Sequence, residues 1–80
     1  MTVAFFGARL RSAREAAQIT RKSMTETLGV SARTYLFYEA GLAYPPVERL
    51  IQISDILGVN IDWLLGRGDC RHVKNDNAGD

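Results

Sequence analysis

The chain has little of what catalytic, secreted or metal-bound proteins depend on. Its 80 residues include one cysteine, Cys70, and one histidine, His72. A lone cysteine cannot close an intrachain disulfide, which fits a reducing cytosol. Cys70 and His72 also fall short of the about four ligands a structural zinc site needs, so no metal or other cofactor is expected. Nor can they supply a base and a nucleophile held in one site, and an enzyme is not expected. No apolar run approaches the roughly 20 residues of a membrane span. The short apolar stretch at residues 3–6 runs straight into Arg9, Arg11 and Arg14, which makes a poor signal peptide. An apolar share of 46% argues against global disorder. The expectation is one small soluble domain in the cytoplasm, with no membrane partner.

Net charge is also scarce, at +1, but it is unevenly placed. Residues 1–37 carry six Lys or Arg against two Asp or Glu; residues 38–80 carry four against seven. A basic first half and an acidic second half suit a domain with one positive docking face.

What is present centres on residues 21–40, RKSMTETLGVSARTYLFYEA. Met24 and Leu28 are four apart and share one face of a short helix. Thr20 stands where an N-cap belongs, and Gly29 follows the last apolar residue, where a helix ends in the left-handed region. Ser31 is a second N-cap, and Tyr35 and Tyr38 share the inner face of the next helix. Two short helices joined by a glycine-containing turn form a helix-turn-helix.

This segment resembles the helix-turn-helix of lambda-repressor-like DNA-binding proteins, the group of phage repressors, Cro proteins and XRE-type regulators. Counted from Arg21, the apolar places of that unit fall on Met24, Leu28, Val30, Tyr35 and Tyr38, with Gly29 at its glycine place. Thr25 stands where the family often has Ala. The likeness runs over about residues 6–66. It implies an all-α, compact five-helix domain over residues 1–66; residues 67–80 lack apolar periodicity and are expected to form a disordered tail.

Periodicity fills in the rest. A first helix is predicted over about residues 3–17, burying Phe6, Leu10, Ala13 and Ala17 and leaving Arg9, Arg11 and Arg14 mostly on its other sides. A fourth is predicted over about residues 47–57, opened by Pro46 at its first position. Its inner stripe is Val47, Leu50, Ser54 and Leu57, widened by Ile51 and Ile53. Gly58 closes it, and Asn60 caps a short fifth helix over residues 61–65. Val59, Ile61, Trp63 and Leu64 complete the core. The resemblance further implies an ion pair between Arg14 and Glu39, locking the third helix against the first.

The resemblance implies binding of double-stranded DNA as a homodimer and a role in transcription, of the repressor or Cro kind. With Tyr35 and Tyr38 inward, Ala32, Arg33, Leu36 and Phe37 point outward for base contact. Arg33 can fork two hydrogen bonds to a guanine edge or hold a phosphate; Ala32 and Phe37 can pack on thymine methyls. Arg21 and Lys22, at a helix N-terminus, are expected on phosphate, with Thr34 and Tyr44 adding hydroxyls. Leu36, Phe37 and Leu42 form an apolar cluster that could instead take a protein partner, as in an antitoxin that also represses its own promoter.

Overall fold

The computed structural model describes residues 2–68 and Arg71. Five helices succeed one another: α1 (Val3–Ala16), α2 (Arg21–Leu28), α3 (Ala32–Glu39), α4 (Val47–Leu57) and α5 (Ile61–Leu64). The all-α, five-helix expectation holds. Of the expected tail, residues 69, 70 and 72–80 lie outside the described residues, and Cys70 and His72 lie with them. No described helix is long and apolar enough to cross a membrane.

Each helix starts on a residue that can satisfy a free amide or has none to lose. The Thr2 hydroxyl accepts from the Phe5 amide, Thr20 from Ser23, Ser31 from Thr34, and the Asn60 side chain from Asp62. Pro46 departs from expectation. Its extended ψ of 161° makes it the N-cap of α4 and leaves Val47 as the first helical residue. The ends follow the glycines: Gly29 takes φ 70° after α2 and Gly58 φ 67° after α4. α1 ends without one. Gln18 takes the left-handed φ of 59° instead, an uncommon conformation for a residue with a Cβ.

The core joins Phe6, Leu10 and Ala13 of α1 to Met24 and Leu28 of α2 and Tyr35 and Tyr38 of α3. Leu50, Ile53 and Leu57 of α4 close it from another side, with Val59, Trp63 and Leu64. Three expected core positions are wrong. Ala17 is exposed because the left turn at Gln18 ends α1 one residue early and takes Ala17 off the buried stripe. Val47 is 72% exposed and Ile51 47%: one turn apart, they flank the buried stripe of α4 on an edge that the other helices leave uncovered. The apolar stripe of α4 is therefore Leu50, Ile53, Ser54 and Leu57. The Ser54 hydroxyl fits among them because it donates to the Val59 carbonyl at 2.6 Å.

Two close approaches set where α3 sits. Thr25 is buried, and its hydroxyl donates to the Lys22 carbonyl at 2.7 Å, so a polar side chain is accommodated without an open hydrogen bond. Gly7 of α1 lies against the end of α3, where a Cβ would meet the Glu39 carbonyl oxygen at 2.6 Å and the Tyr38 carbonyl oxygen at 2.8 Å. α1 and α3 thus touch backbone to backbone.

A second fastening joins α1 to α5. The Arg9 guanidinium lies 4.5 Å from the centre of the Phe5 ring and 4.6 Å from that of Trp63. Arg9 also donates to the carbonyls of Trp63 and Gly68. Arg71 lies over Trp63 as well, at 4.8 Å, and its carbonyl accepts from the Asn60 amide.

Candidate nucleic-acid interface

α3 is eight residues long and divides cleanly. Tyr35 and Tyr38 are buried, whereas Ala32, Arg33 and Leu36 are exposed and Thr34 and Phe37 are half-buried. The inner side is fixed by rings: Tyr35 and Tyr38 meet edge to face at 6.2 Å. The outer side carries one cation, Arg33, whose guanidinium lies 5.5 Å from the centre of the Phe37 ring. At the start of α3, the Ser31 oxygen accepts from the Thr34 amide and also pairs with the Thr34 hydroxyl at 3.0 Å.

The far end of α3 is held by one carboxylate. Glu39 accepts from Arg14 Nε at 2.6 Å, from the Tyr35 hydroxyl at 2.6 Å and from Arg21 Nε at 3.1 Å. The Glu39 side chain is 3% exposed and that of Arg14 is 10%, so the expected ion pair is present and largely out of water. Burial alone would raise the Glu39 carboxyl. The hydrogen bonds from Arg14, Tyr35 and Arg21 outweigh it and hold the group below its ordinary value. Glu39 in turn raises Arg14. Burial, reinforced by the bond to Glu39, pushes the Tyr35 phenol well above its ordinary range, so Tyr35 is a neutral donor.

Arg21 therefore has a role the sequence left hidden. Its Nε is engaged with Glu39, while the side chain remains 50% exposed. One residue thus ties the N-terminus of α2 to the C-terminus of α3 and still leaves half of its side chain open to solvent. Lys22, beside it, is exposed. Tyr44 is 46% exposed and rests its ring 5.4 Å from that of Phe6, so the loop after α3 is anchored to α1. Leu36 is 50% exposed and Leu42 68%.

The sequence-predicted groups thus come to two places: Ala32, Arg33, Leu36 and Phe37 on α3, and Arg14, Arg21 and Glu39 at the junction of three helices. Reasoning from sequence missed Gly7, and a glycine inside a helical pattern was the available signal. It also missed Arg9 and the bond from Arg21 to Glu39, which local spacing does not reveal. Among the described residues no group of His, Cys, Asp or Glu could hold a metal ion.

Comparison with known proteins agrees with this geometry. A family model described as a helix-turn-helix domain matches residues 7–67. The cryptic phage CTXphi transcriptional repressor RstR of Vibrio cholerae is 39% identical over 59 residues, which cover 74% of this chain and 53% of that protein. The uncharacterized HTH-type transcriptional regulator YqaE of Bacillus subtilis is 34% identical over 73 residues, covering 91% of this chain and 63% of its own length. Among solved structures, a transcriptional regulator from Listeria innocua superimposes with a TM-score of 0.70 at 27% identity, covering 91% of this chain and 66% of that one. The chain spans between about half and two thirds of the length of these relatives. Matched over residues 7–67, with each helix of the motif in its place, the chain belongs to the XRE-type helix-turn-helix family of transcriptional regulators.

Proposed function

We propose that this chain binds double-stranded DNA by laying α3 in the major groove, and that it acts as a phage-type transcriptional repressor. The observation that carries this is the split of α3. Its inner side is locked by Tyr35, Tyr38 and Glu39, while Ala32 and Arg33 stand in solvent at its start and Leu36 one turn further on. An α-helix fits the major groove, and residues of its N-terminal part reach base edges. Arg33 reads a guanine edge, with the apolar side chains of Ala32, Leu36 and Phe37 beside it. Arg21 and Lys22 take phosphate at the N-terminus of α2, where free amides and the helix dipole also favour an anion. Thr34 and Tyr44 add hydroxyl contacts. The name of the phage repressor RstR supports the sign of regulation. Two copies on a palindromic operator would place two α3 helices about 34 Å apart, one helical turn of DNA.

The exposure of Leu36 and Leu42, at 50% and 68%, favours one other occupant for the same face, a protein partner seated on Leu36, Phe37 and Leu42. Such a partner would exclude DNA.

The division of labour is testable. Arg33→Ala should cost about 1–3 kcal/mol of binding, concentrated at one base position. Arg21→Ala should weaken binding evenly across sequences and lower the salt slope by about one. The fold should survive the second change, because Arg14 and Tyr35 still hold Glu39. Selection of bound duplexes from a random pool, followed by affinities at several salt concentrations, reads both effects. Identical behaviour of the two variants would remove the distinction between base reader and phosphate anchor. An unselective pool together with a protein partner lost on Leu36→Ala would favour the competing occupant.

A further inference from the structure

The outer surface of α3 consists of two parallel rows. Ala32 and Leu36 are four apart, as are Arg33 and Phe37, so each pair stacks along the helix and the rows are neighbours. The first row is aliphatic and exposed, with Leu36 50% open to solvent. The second is a cation resting on an aromatic face, with 5.5 Å from the Arg33 guanidinium carbon to the centre of the Phe37 ring. That distance lies within the range of a cation–π contact. Phe37 is half-buried and Leu36 is not, so the two apolar side chains are unequal partners for a ligand. Phe37 serves better as a shelf under Arg33. Leu36, leaning toward the start of the helix as helical side chains do, is the apolar group open beside that guanidinium.

We infer that α3 recognises a pyrimidine C5-methyl group next to a guanine: Leu36, with Ala32, covers the methyl, and Phe37 positions Arg33 for the guanine. This rests on the proposed docking of α3 in the major groove and names what it reads there. The chemistry follows from the side chains. Neither Leu36 nor Ala32 can hydrogen-bond, so the base-edge feature left for them is the thymine methyl. The guanine N7 and O6 acceptors match the fork of Arg33, and a fork held against a ring loses less freedom on binding. Charge favours a duplex over an apolar protein as the occupant. Arg21, Lys22 and Arg33 are exposed in the two helices of the motif against one exposed acid, Glu26, while the Glu39 carboxylate is turned inward onto Arg14, Tyr35 and Arg21. Phe37 is in this account a positioning residue.

The test uses the full chain and a duplex chosen by selection from a random pool. Uracil, which lacks only the C5-methyl, replaces thymine beside guanine, and 7-deazaguanine, which lacks the N7 acceptor, replaces the guanine. The wild-type chain should lose about fourfold in affinity for each critical methyl removed. Leu36→Ala should shrink the preference for the thymine over the uracil duplex, leaving only what Ala32 supplies. Phe37→Leu should shrink the 7-deazaguanine penalty while the salt slope stays as it was, and Phe37→Tyr, which keeps the ring, should restore the penalty. Thermal melts of each variant separate these effects from unfolding. Equal wild-type binding of the thymine and uracil duplexes would overturn the inference and leave DNA binding standing. A chain that binds no duplex at low ionic strength would overturn both.

Discussion

Gly7→Ala should destabilise the domain by about 3 kcal/mol, although the same change on an exposed helix surface stabilises by up to about 1 kcal/mol. The reason lies across the interface. The new Cβ would sit 2.6 Å from the Glu39 carbonyl oxygen and 2.8 Å from the Gly41 amide nitrogen, and both are backbone atoms that no rotamer change can move. α1 and α3 would have to separate, loosening Phe6 and Leu10 from Tyr35 and Tyr38 together. Gly29→Ala is the matching control, because there the strain is in the dihedral and not in the space. Its φ is 70°, yet no atom lies within 4 Å of the added carbon, so the cost should stay near about 1 kcal/mol. Thermal or urea melts of the two variants measure the contrast. Equal losses would mean that α1 and α3 do not meet at Gly7.

Glu39→Gln should cost about 3 kcal/mol at neutral pH, because it leaves the Arg14 guanidinium largely buried without its counter-charge. Against the few to about ten kcal/mol expected of a domain this small, that is a large share. The pH dependence identifies the cause. The Glu39 carboxyl titrates lower in the folded chain than in the unfolded one. Its ionised form therefore favours folding above the ordinary carboxylate value, about 4.3, and that contribution is lost as pH falls through the lower folded value. The stability gap between wild type and Glu39→Gln should be widest near pH 7 and should close progressively below about pH 4. A gap that is constant with pH would assign the loss to packing instead. Because Glu39 also holds Arg21, the variant should weaken duplex binding beyond its effect on stability.

Much of this architecture can be read from the chain because its signals are local. Thr20, Ser31 and Asn60 cap helices through hydroxyl or amide groups two or three residues away, and Gly29 and Gly58 end them through their own dihedrals. Tyr35 and Tyr38 fall inward by helical spacing alone. The Arg14–Glu39 pair was expected only from resemblance; in the structure the two side chains lie 2.6 Å apart. What stayed hidden depends on distance in sequence. The demand for glycine at position 7 comes from carbonyls more than thirty residues away. The grip of Arg9 on Trp63 and the sharing of Glu39 by Arg21 both arise where helices cross. Val47 and Ile51 misled for a related reason. Periodicity finds an apolar face of α4, but how much of that face is covered depends on where the other helices stop.

The central claim is that α3 offers its outer side to a duplex while its inner side holds the fold. Titrating an isotope-labelled chain with a selected duplex, and following every backbone amide by NMR, tests it most directly. The account predicts that amides of residues 20–23 and 31–37 shift strongly and in step, while those around Val47 and Ile51 stay where they are. Shifts gathered on the outer side of α4, with residues 31–37 unmoved, would contradict it.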